Sequence, residues 1–137
     1  MPARIRLANP ERCIGCMNCI FACSRELYGG ILSPLKSALK LVYDTPSRKF
    51  IVSICPGCVD APCVNACPHK ALAEQPGGGP TLINPEKCRS CETRDCIKAC
   101  ILGVLFWDDE RRAPIICTQC GECAKYCPHE VIVYREV

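Results

Sequence analysis

Short apolar runs alternate along the chain with clusters of turn-forming residues. "RIRL" at 4–7 predicts a first strand. "LKLVY" at 39–43 and "KFIVSI" at 49–54 flank "DTPSR", the pattern of a hairpin. "TLI" at 81–83 follows "QPGGGP" at 75–80, a turn or short linker. "VLFW" at 104–107 and "PII" at 114–116 enclose "DDERRA", a second hairpin, and "VIVY" at 131–134 predicts a last strand. Cys19-Ile20-Phe21-Ala22-Cys23 reads as a single helical turn. Residues 24–38, which include Ser33-Pro34, are the most irregular stretch and are read as a cover or a partner-facing segment.

These elements are too short to bury much. The apolar fraction of the 137 residues is 49%, but sixteen cysteines are counted in it, and aromatic residues make up only 6%. Without the cysteines the apolar share falls to little over a third, so covalent or metal cross-links are expected to supplement the core. Sixteen cysteines allow eight disulfides or a set of metal centres. Disulfide scaffolds belong to secreted chains. Met1–Leu7 has neither the apolar run of a signal peptide nor a twin arginine, and no run of eighteen apolar residues occurs. Metal centres, a cytoplasmic location and no membrane span are the expectation.

Charge adds a second constraint. The formal net charge is +3, with eight Lys and Arg against three acids in residues 1–54 and nine against eleven in residues 55–137. Thiolate-ligated clusters would add about −2 each and bring a four-cluster holoprotein to roughly −5. No basic helix with interleaved aromatics occurs, so no nucleic acid is expected. The basic first part reads as a solvated face or as a docking surface for an acidic partner.

The cysteines fall into four quartets: Cys13, Cys16, Cys19, Cys23; Cys55, Cys58, Cys63, Cys67; Cys88, Cys91, Cys96, Cys100; and Cys117, Cys120, Cys123, Cys127. The first and fourth are spaced C-x2-C-x2-C-x3-C, the second and third C-x2-C-x4-C-x3-C. Zinc usually takes two cysteine pairs a dozen or more residues apart. Three thiols at steps of three residues instead wrap one [4Fe–4S] cube, and in bacterial ferredoxin spacing the fourth ligates another cluster. On a helical turn Cys19 and Cys23 lie about 6 Å apart along the axis, which carries Cys23 past the cube that Cys19 holds. All sixteen cysteines are candidate ligands. Which quartets exchange their fourth cysteine is left open by the spacing rule. The repeats "NPERC"/"NPEKC" at 9–13 and 84–88, and "CPHKAL"/"CPHEVI" at 67–72 and 127–132, suggest pseudo-halves near 1–75 and 80–137 and a pairing of adjacent quartets.

The quartets, with "CPGCVDAPCVNACPHKAL" at 55–72, resemble the four-cluster ferredoxin-like electron-transfer subunits of molybdenum and tungsten oxidoreductases. These are the iron–sulfur subunits of the dimethyl sulfoxide reductase and formate dehydrogenase type, and the small polyferredoxin subunits of tungsten aldehyde oxidoreductases. The resemblance runs from Cys13 to Cys127. The chain departs from the pattern at Ser24 and Ile101, where proline follows the fourth cysteine in the other quartets; it also lacks long insertions and a C-terminal membrane helix. The resemblance implies an α+β fold: one polyferredoxin domain over 1–137, built of two fused bacterial-ferredoxin-like units with short strands and helices around four clusters. It also implies nested pairing, quartet one with four and two with three. The ligand sets would be Cys13, Cys16, Cys19 with Cys127; Cys117, Cys120, Cys123 with Cys23; Cys55, Cys58, Cys63 with Cys100; and Cys88, Cys91, Cys96 with Cys67.

Histidine can ligate clusters, but with four thiols for each, His69 and His129 are read as polar turn residues. Trp107, Phe106 and Phe50 are read as strand residues packed on cluster-bearing loops. Arg12, Lys87, Arg89, Arg94 and Lys98 could offset cluster charge. No substrate-site motif occurs, so the chain is not expected to be an enzyme by itself. The resemblance implies relay of single electrons between a large tungsten- or molybdenum-pterin catalytic subunit, with aldehyde oxidoreductase as a candidate, and a second redox subunit or ferredoxin. The alternatives are a free-standing polyferredoxin shuttle and a zinc-stabilised interaction module.

Overall fold

The strand at Ala3–Leu7 (β1) finds its partner at the far end of the chain. In the computed structural model, which describes residues 3–136, it pairs antiparallel with Ile132–Glu136 (β8), with Ile5 opposite Tyr134 and Leu7 opposite Ile132. The Ala8 N–H continues this ladder to the Val131 carbonyl at 2.9 Å. The other pairings are local antiparallel hairpins: Lys40–Asp44 (β2) with Lys49–Ser53 (β3), Leu72–Glu74 (β4) with Pro80–Leu82 (β5), and Phe106–Asp108 (β6) with Ala113–Ile115 (β7). The hairpins around "DTPSR" and "DDERRA" form as the apolar alternation predicts. β4 lies outside the predicted strands, and "QPGGGP" is the turn that joins it to β5: the Gln75 N–H bonds the Gly79 carbonyl at 2.9 Å.

The fold is α+β, with short strands and short helices. The helices are Asn18–Tyr28 (α1), Pro62–Ala66 (α2), Pro85–Arg89 (α3), Asp95–Ala99 (α4) and Glu122–Lys125 (α5). Four of them span only four or five residues, too short to persist in water without tertiary support. Isolated two-stranded ribbons are equally marginal. Among the described residues no helix is long and apolar enough to cross a membrane.

The chain divides into two compact units, residues 1–54 with 119–137 and residues 55–118. These boundaries differ from the pseudo-halves near 1–75 and 80–137 that the repeats suggest. The physical reason is β1–β8: the outgoing and returning ends share one ribbon, and the stretch between them forms a unit of its own. In the first unit Ile5, Ile20, Leu39, Val52, Val131 and Ile132 are buried, with Leu39 and Ile132 fully so. In the second, Ala61, Leu72, Leu105 and Ile116 form a cluster with Cys63 and Cys96. Burying such a side chain is worth about 1.5–3 kcal/mol, and here thiols fill places that aliphatic residues fill elsewhere.

α1 exceeds the single turn predicted at 19–23. With serine rather than proline at position 24, nothing stops the helix after Cys23. It runs to Tyr28 and ends at Gly29, whose φ of 62° is left-handed; the N–H groups of Gly29 and Gly30 both return to the Arg25 carbonyl. Ser24 is completely buried. Its hydroxyl donates to the Ile31 carbonyl at 2.5 Å and accepts from the Ser33 N–H at 3.1 Å. Residues 29–38, expected to be irregular, are thus tied to the helix at one buried oxygen. Arg25 fastens α1 to α5, with its guanidinium 4.9 Å from the Tyr126 ring centroid and 3.7 Å from the Glu122 carboxylate.

Candidate iron–sulfur centres

Each third cysteine is the second residue of a helix: Cys19 in α1, Cys63 in α2, Cys96 in α4 and Cys123 in α5. A left-handed residue precedes each of these helices: Met17, Asp60, Arg94 and Gly121, with φ of 67°, 55°, 51° and 81°. A second left-handed residue stands immediately before the middle cysteine in three quartets, at Gly15, Gly57 and Gln119. A side chain at Gly15 would be strained at its φ of 76° and would force the Phe50 ring, 2.5 Å from a Cβ there, to move. The third quartet departs from this: Cys88 is carried on α3, and the Cys91 N–H closes a turn onto the Cys88 carbonyl at 3.1 Å.

Three of the four fourth cysteines share one turn. Cys67 and Cys100 cap α2 and α4 with nearly the same backbone, φ/ψ of −70°/112° and −68°/112°. Three residues on, Lys70, Gly103 and Glu130 are left-handed, with φ of 53°, 65° and 55°. The turn brings the next N–H back to sulfur: Val104 N–H bonds Cys100 Sγ and Val131 N–H bonds Cys127 Sγ, each at 3.4 Å. Cys-Pro-His-Lys, Cys-Ile-Leu-Gly and Cys-Pro-His-Glu are therefore three spellings of one device. Cys23 reaches the same end differently: it lies inside α1, and its Sγ accepts from the Ala38 N–H at 3.4 Å across the loop that Ser24 anchors.

Among the described residues, twelve of the thiols line three cavities. The first, of about 350 Å³, is lined by Cys13, Cys16, Cys19 and Cys127 with Leu41, Val52 and Ile132. Another, of about 470 Å³, is lined by Cys55, Cys58, Cys63 and Cys100 with Ala61, Val104 and Leu105. A third, of about 300 Å³, is lined by Cys67, Cys88, Cys91 and Cys96 with Ala71, Leu72 and Trp107. Each brings together three thiols of one quartet and the last thiol of another. His129, in a turn as expected, lines the first cavity, and His69, also in a turn, lines the third. Of the remaining four thiols, Cys23 and Cys123 stand on α1 and α5, which pack on each other within the first unit. Cys120 is exposed, and Cys117, in the second unit, is buried.

None of the sixteen cysteines is in a disulfide. Burial, reinforced by the negative charge of Cys127, pushes the Cys19 thiol up to about 12. Burial and then Cys55 push Cys63 up to about 11; burial, with Cys67 and Cys88 adding to it, does the same for Cys96. Cys88 is raised by burial and then by Cys67. Reactive redox thiols are the opposite, lowered by nearby positive charge. Thiols of this kind become thiolates only when iron neutralises them, and binding therefore releases protons. Four thiols converging on one space with largely apolar walls suit a polynuclear cluster. Among the described residues no three His, Cys, Asp or Glu side chains are gathered as a single-ion site. Near Cys23 the Lys40 ammonium supplies positive charge; burial lowers its pKa and the Cys23 charge opposes that shift.

The sequence profile of the 4Fe-4S dicluster domain matches residues 47–136, and that of a 4Fe-4S binding domain matches residues 10–29. The chain belongs to the 4Fe-4S dicluster domain family. Among curated relatives, the polyferredoxin-like subunit of aliphatic sulfonate oxidoreductase from Pyrococcus furiosus is 35% identical over 127 residues, 90% of this chain and 70% of that protein. The iron–sulfur subunit ArrB of the arsenate respiratory reductase of Shewanella sp. ANA-3 is 33% identical over 101 residues, 72% of this chain and 42% of its own length. Protein NrfC of Escherichia coli K12 is 26% identical over 136 residues, 89% of this chain and 60% of that protein. This dicluster-domain chain is thus an iron–sulfur, electron-transfer protein of ferredoxin-like type that binds [4Fe–4S] clusters.

Proposed function

We propose that the chain is an electron-conducting subunit with four [4Fe–4S] clusters on two ferredoxin-like units, paired in the nested manner. The observation that carries this reading is the three-plus-one lining of the cavities. Cys127 joins Cys13, Cys16 and Cys19; Cys100 joins Cys55, Cys58 and Cys63; Cys67 joins Cys88, Cys91 and Cys96. Cys117, Cys120, Cys123 and Cys23 are left to hold the fourth, and the packing of α1 on α5 favours that set.

When bound, a [4Fe–4S] cluster held by four thiolates gains and loses single electrons and offers no open iron position. The chain's own residues do the rest. Leu41, Val52, Val104 and Leu105 exclude water from the cavities. The N–H groups of Ala38, Val104 and Val131 meet ligand sulfurs and favour the more negative state. α2 and α4 hold third and fourth thiols at opposite ends, so that the second unit links two centres through its backbone.

The partner in this reading is a large catalytic subunit with a tungsten or molybdenum pterin, of aldehyde-oxidising or related type, and electrons pass to or from a second redox subunit or ferredoxin. Relatives named as subunits of a sulfonate oxidoreductase and an arsenate reductase support the general arrangement. The proposed location is the cytoplasm. Isolation from native cells tests the reading. A stable complex with a pterin enzyme, and iron and sulfide for four clusters in this chain, is the expected result. A lone holoprotein would favour the shuttle, and about one zinc per quartet without sulfide would overturn the cluster assignment.

A further inference from the structure

The cavity of Cys67, Cys88, Cys91 and Cys96 is lined by a tryptophan that the ligand set does not use. Trp107 stands on β6 opposite Pro114 of β7, and both line the cavity. The indole packs against the core of Ala71, Cys88 and Ala113, to which Cys67 also belongs. The Arg94 guanidinium lies over the ring, 4.7 Å from its centroid, and its Nη2 meets the Asp109 carboxylate at 3.6 Å. The indole Nε1 is sealed from water and has no hydrogen-bond partner among the described residues. Buried indole N–H groups usually find an acceptor, and leaving one unmet is costly.

The wall that Trp107 shares is made largely of thiols. Cys88, Cys91 and Cys96 are only 5%, 7% and 6% exposed, the most enclosed ligand set among the three cavities. We propose that Trp107 donates its indole N–H to a sulfur of the centre held by Cys67, Cys88, Cys91 and Cys96, and so sets the reduction potential of that centre. This rests on the reading that a [4Fe–4S] cluster fills the cavity. A donor aimed at sulfur stabilises the reduced, more negative state, and in so enclosed a site water screens the effect little. Trp107 is thus a positioning and tuning residue, and Arg94 holds the ring in place.

The chain contains one tryptophan, so an indole-¹⁵N label reports on a single site. The experiment uses the labelled holoprotein, reduced chemically or by low-temperature irradiation, and pulsed paramagnetic resonance. A ¹⁵N coupling together with an exchangeable-proton coupling to one cluster is expected. In Trp107→Phe, which keeps a ring beneath Arg94, both couplings vanish. One of the reduction steps should then move to lower potential by about tenfold in its equilibrium, ~59 mV for one electron, while the others stay. A silent label in fully loaded wild-type protein overturns the proposal, as do unchanged potentials in a fully loaded Trp107→Phe. If that variant loads no iron, the wild-type label decides alone. Iron and sulfide analysis separates the two levels: wild-type protein lacking one cluster's worth of iron and unable to fill this cavity sinks the cluster reading itself, whereas full iron with a silent indole sinks only the role of Trp107.

Discussion

The second unit builds its two fourth cysteines alike, and the first unit does not. Cys67 and Cys100 both cap five-residue helices with the same backbone and turn away through a left-handed residue, although proline follows one and isoleucine the other. In the first unit Cys127 uses that turn, while Cys23 lies inside an eleven-residue helix whose next residue is a buried serine. The two departures from the Cys-Pro pattern are therefore unlike each other. At Ile101 the proline is missing from a turn that keeps its shape. At Ser24 it is missing because the turn itself has been replaced by a longer helix and an anchored loop. Cys23, Cys100 and Cys127 each receive an N–H at sulfur, with proline following only Cys127 of the three, so proline is one means among several.

The largest effect should come from Cys23 itself. Cys23→Ala is expected to remove about a quarter of the bound iron, with the loss at the centre of Cys117, Cys120 and Cys123. Loss at Cys13, Cys16 and Cys19 with the other centre intact would break the exchange on which the comparison rests; site-resolved paramagnetic resonance distinguishes the two. Next comes Ser24→Pro, which restores the family pattern in sequence yet places a ring against the Ile20 carbonyl within α1. A cost of about 3 kcal/mol or more is expected in chemical denaturation. Ser24→Ala keeps the helix but leaves the Ser33 N–H without the Ser24 oxygen, and about 1–3 kcal/mol should be lost, with faster proteolysis between Gly29 and Ser37. The smallest effect should be Ile101→Pro. Its predecessor already has an extended backbone compatible with proline, and Ile101 is 87% exposed, so a gain of about 0.4–1 kcal/mol is expected in the same assay. Opposite signs at positions 24 and 101 sharpen the contrast; equal signs would dissolve it.

Much of the site was legible in the cysteines, because metal-ligand spacing is a local property. The quartets, the short helices between third and fourth thiols, and the hairpins β2–β3 and β6–β7 follow from spacing and alternation. The pairing of β1 with β8 does not, since Ile5 and Tyr134 meet across nearly the whole chain, and nothing local to "RIRL" names its partner. For the same reason adjacent and nested pairing of quartets both remained open. The helix over residues 24–28 extends beyond the single turn expected at 19–23, and the missing helix-breaker after Cys23 is itself a signal for a longer helix. β4 was missed because three residues give too little alternation to recognise. Trp107 drew attention only as a strand residue; its unmet N–H is visible only once β6 and the thiols share a wall.

The β1–β8 ribbon imposes an order in time as the chain is made. Residues 55–118 are contiguous and can close as soon as Thr118 has emerged, with both of their thiol sets complete. β1, by contrast, has no partner until residues 132–136 exist, and Cys13, Cys16 and Cys19 must wait for Cys127. A chain stopped after Thr118 should accordingly retain iron at Cys55, Cys58, Cys63, Cys100 and at Cys67, Cys88, Cys91, Cys96, and not at the first quartet. Cluster loading thus meets two folding units in turn: the contiguous unit of residues 55–118 first, and the unit of residues 1–54 with 119–137 only once Ile132–Glu136 has emerged.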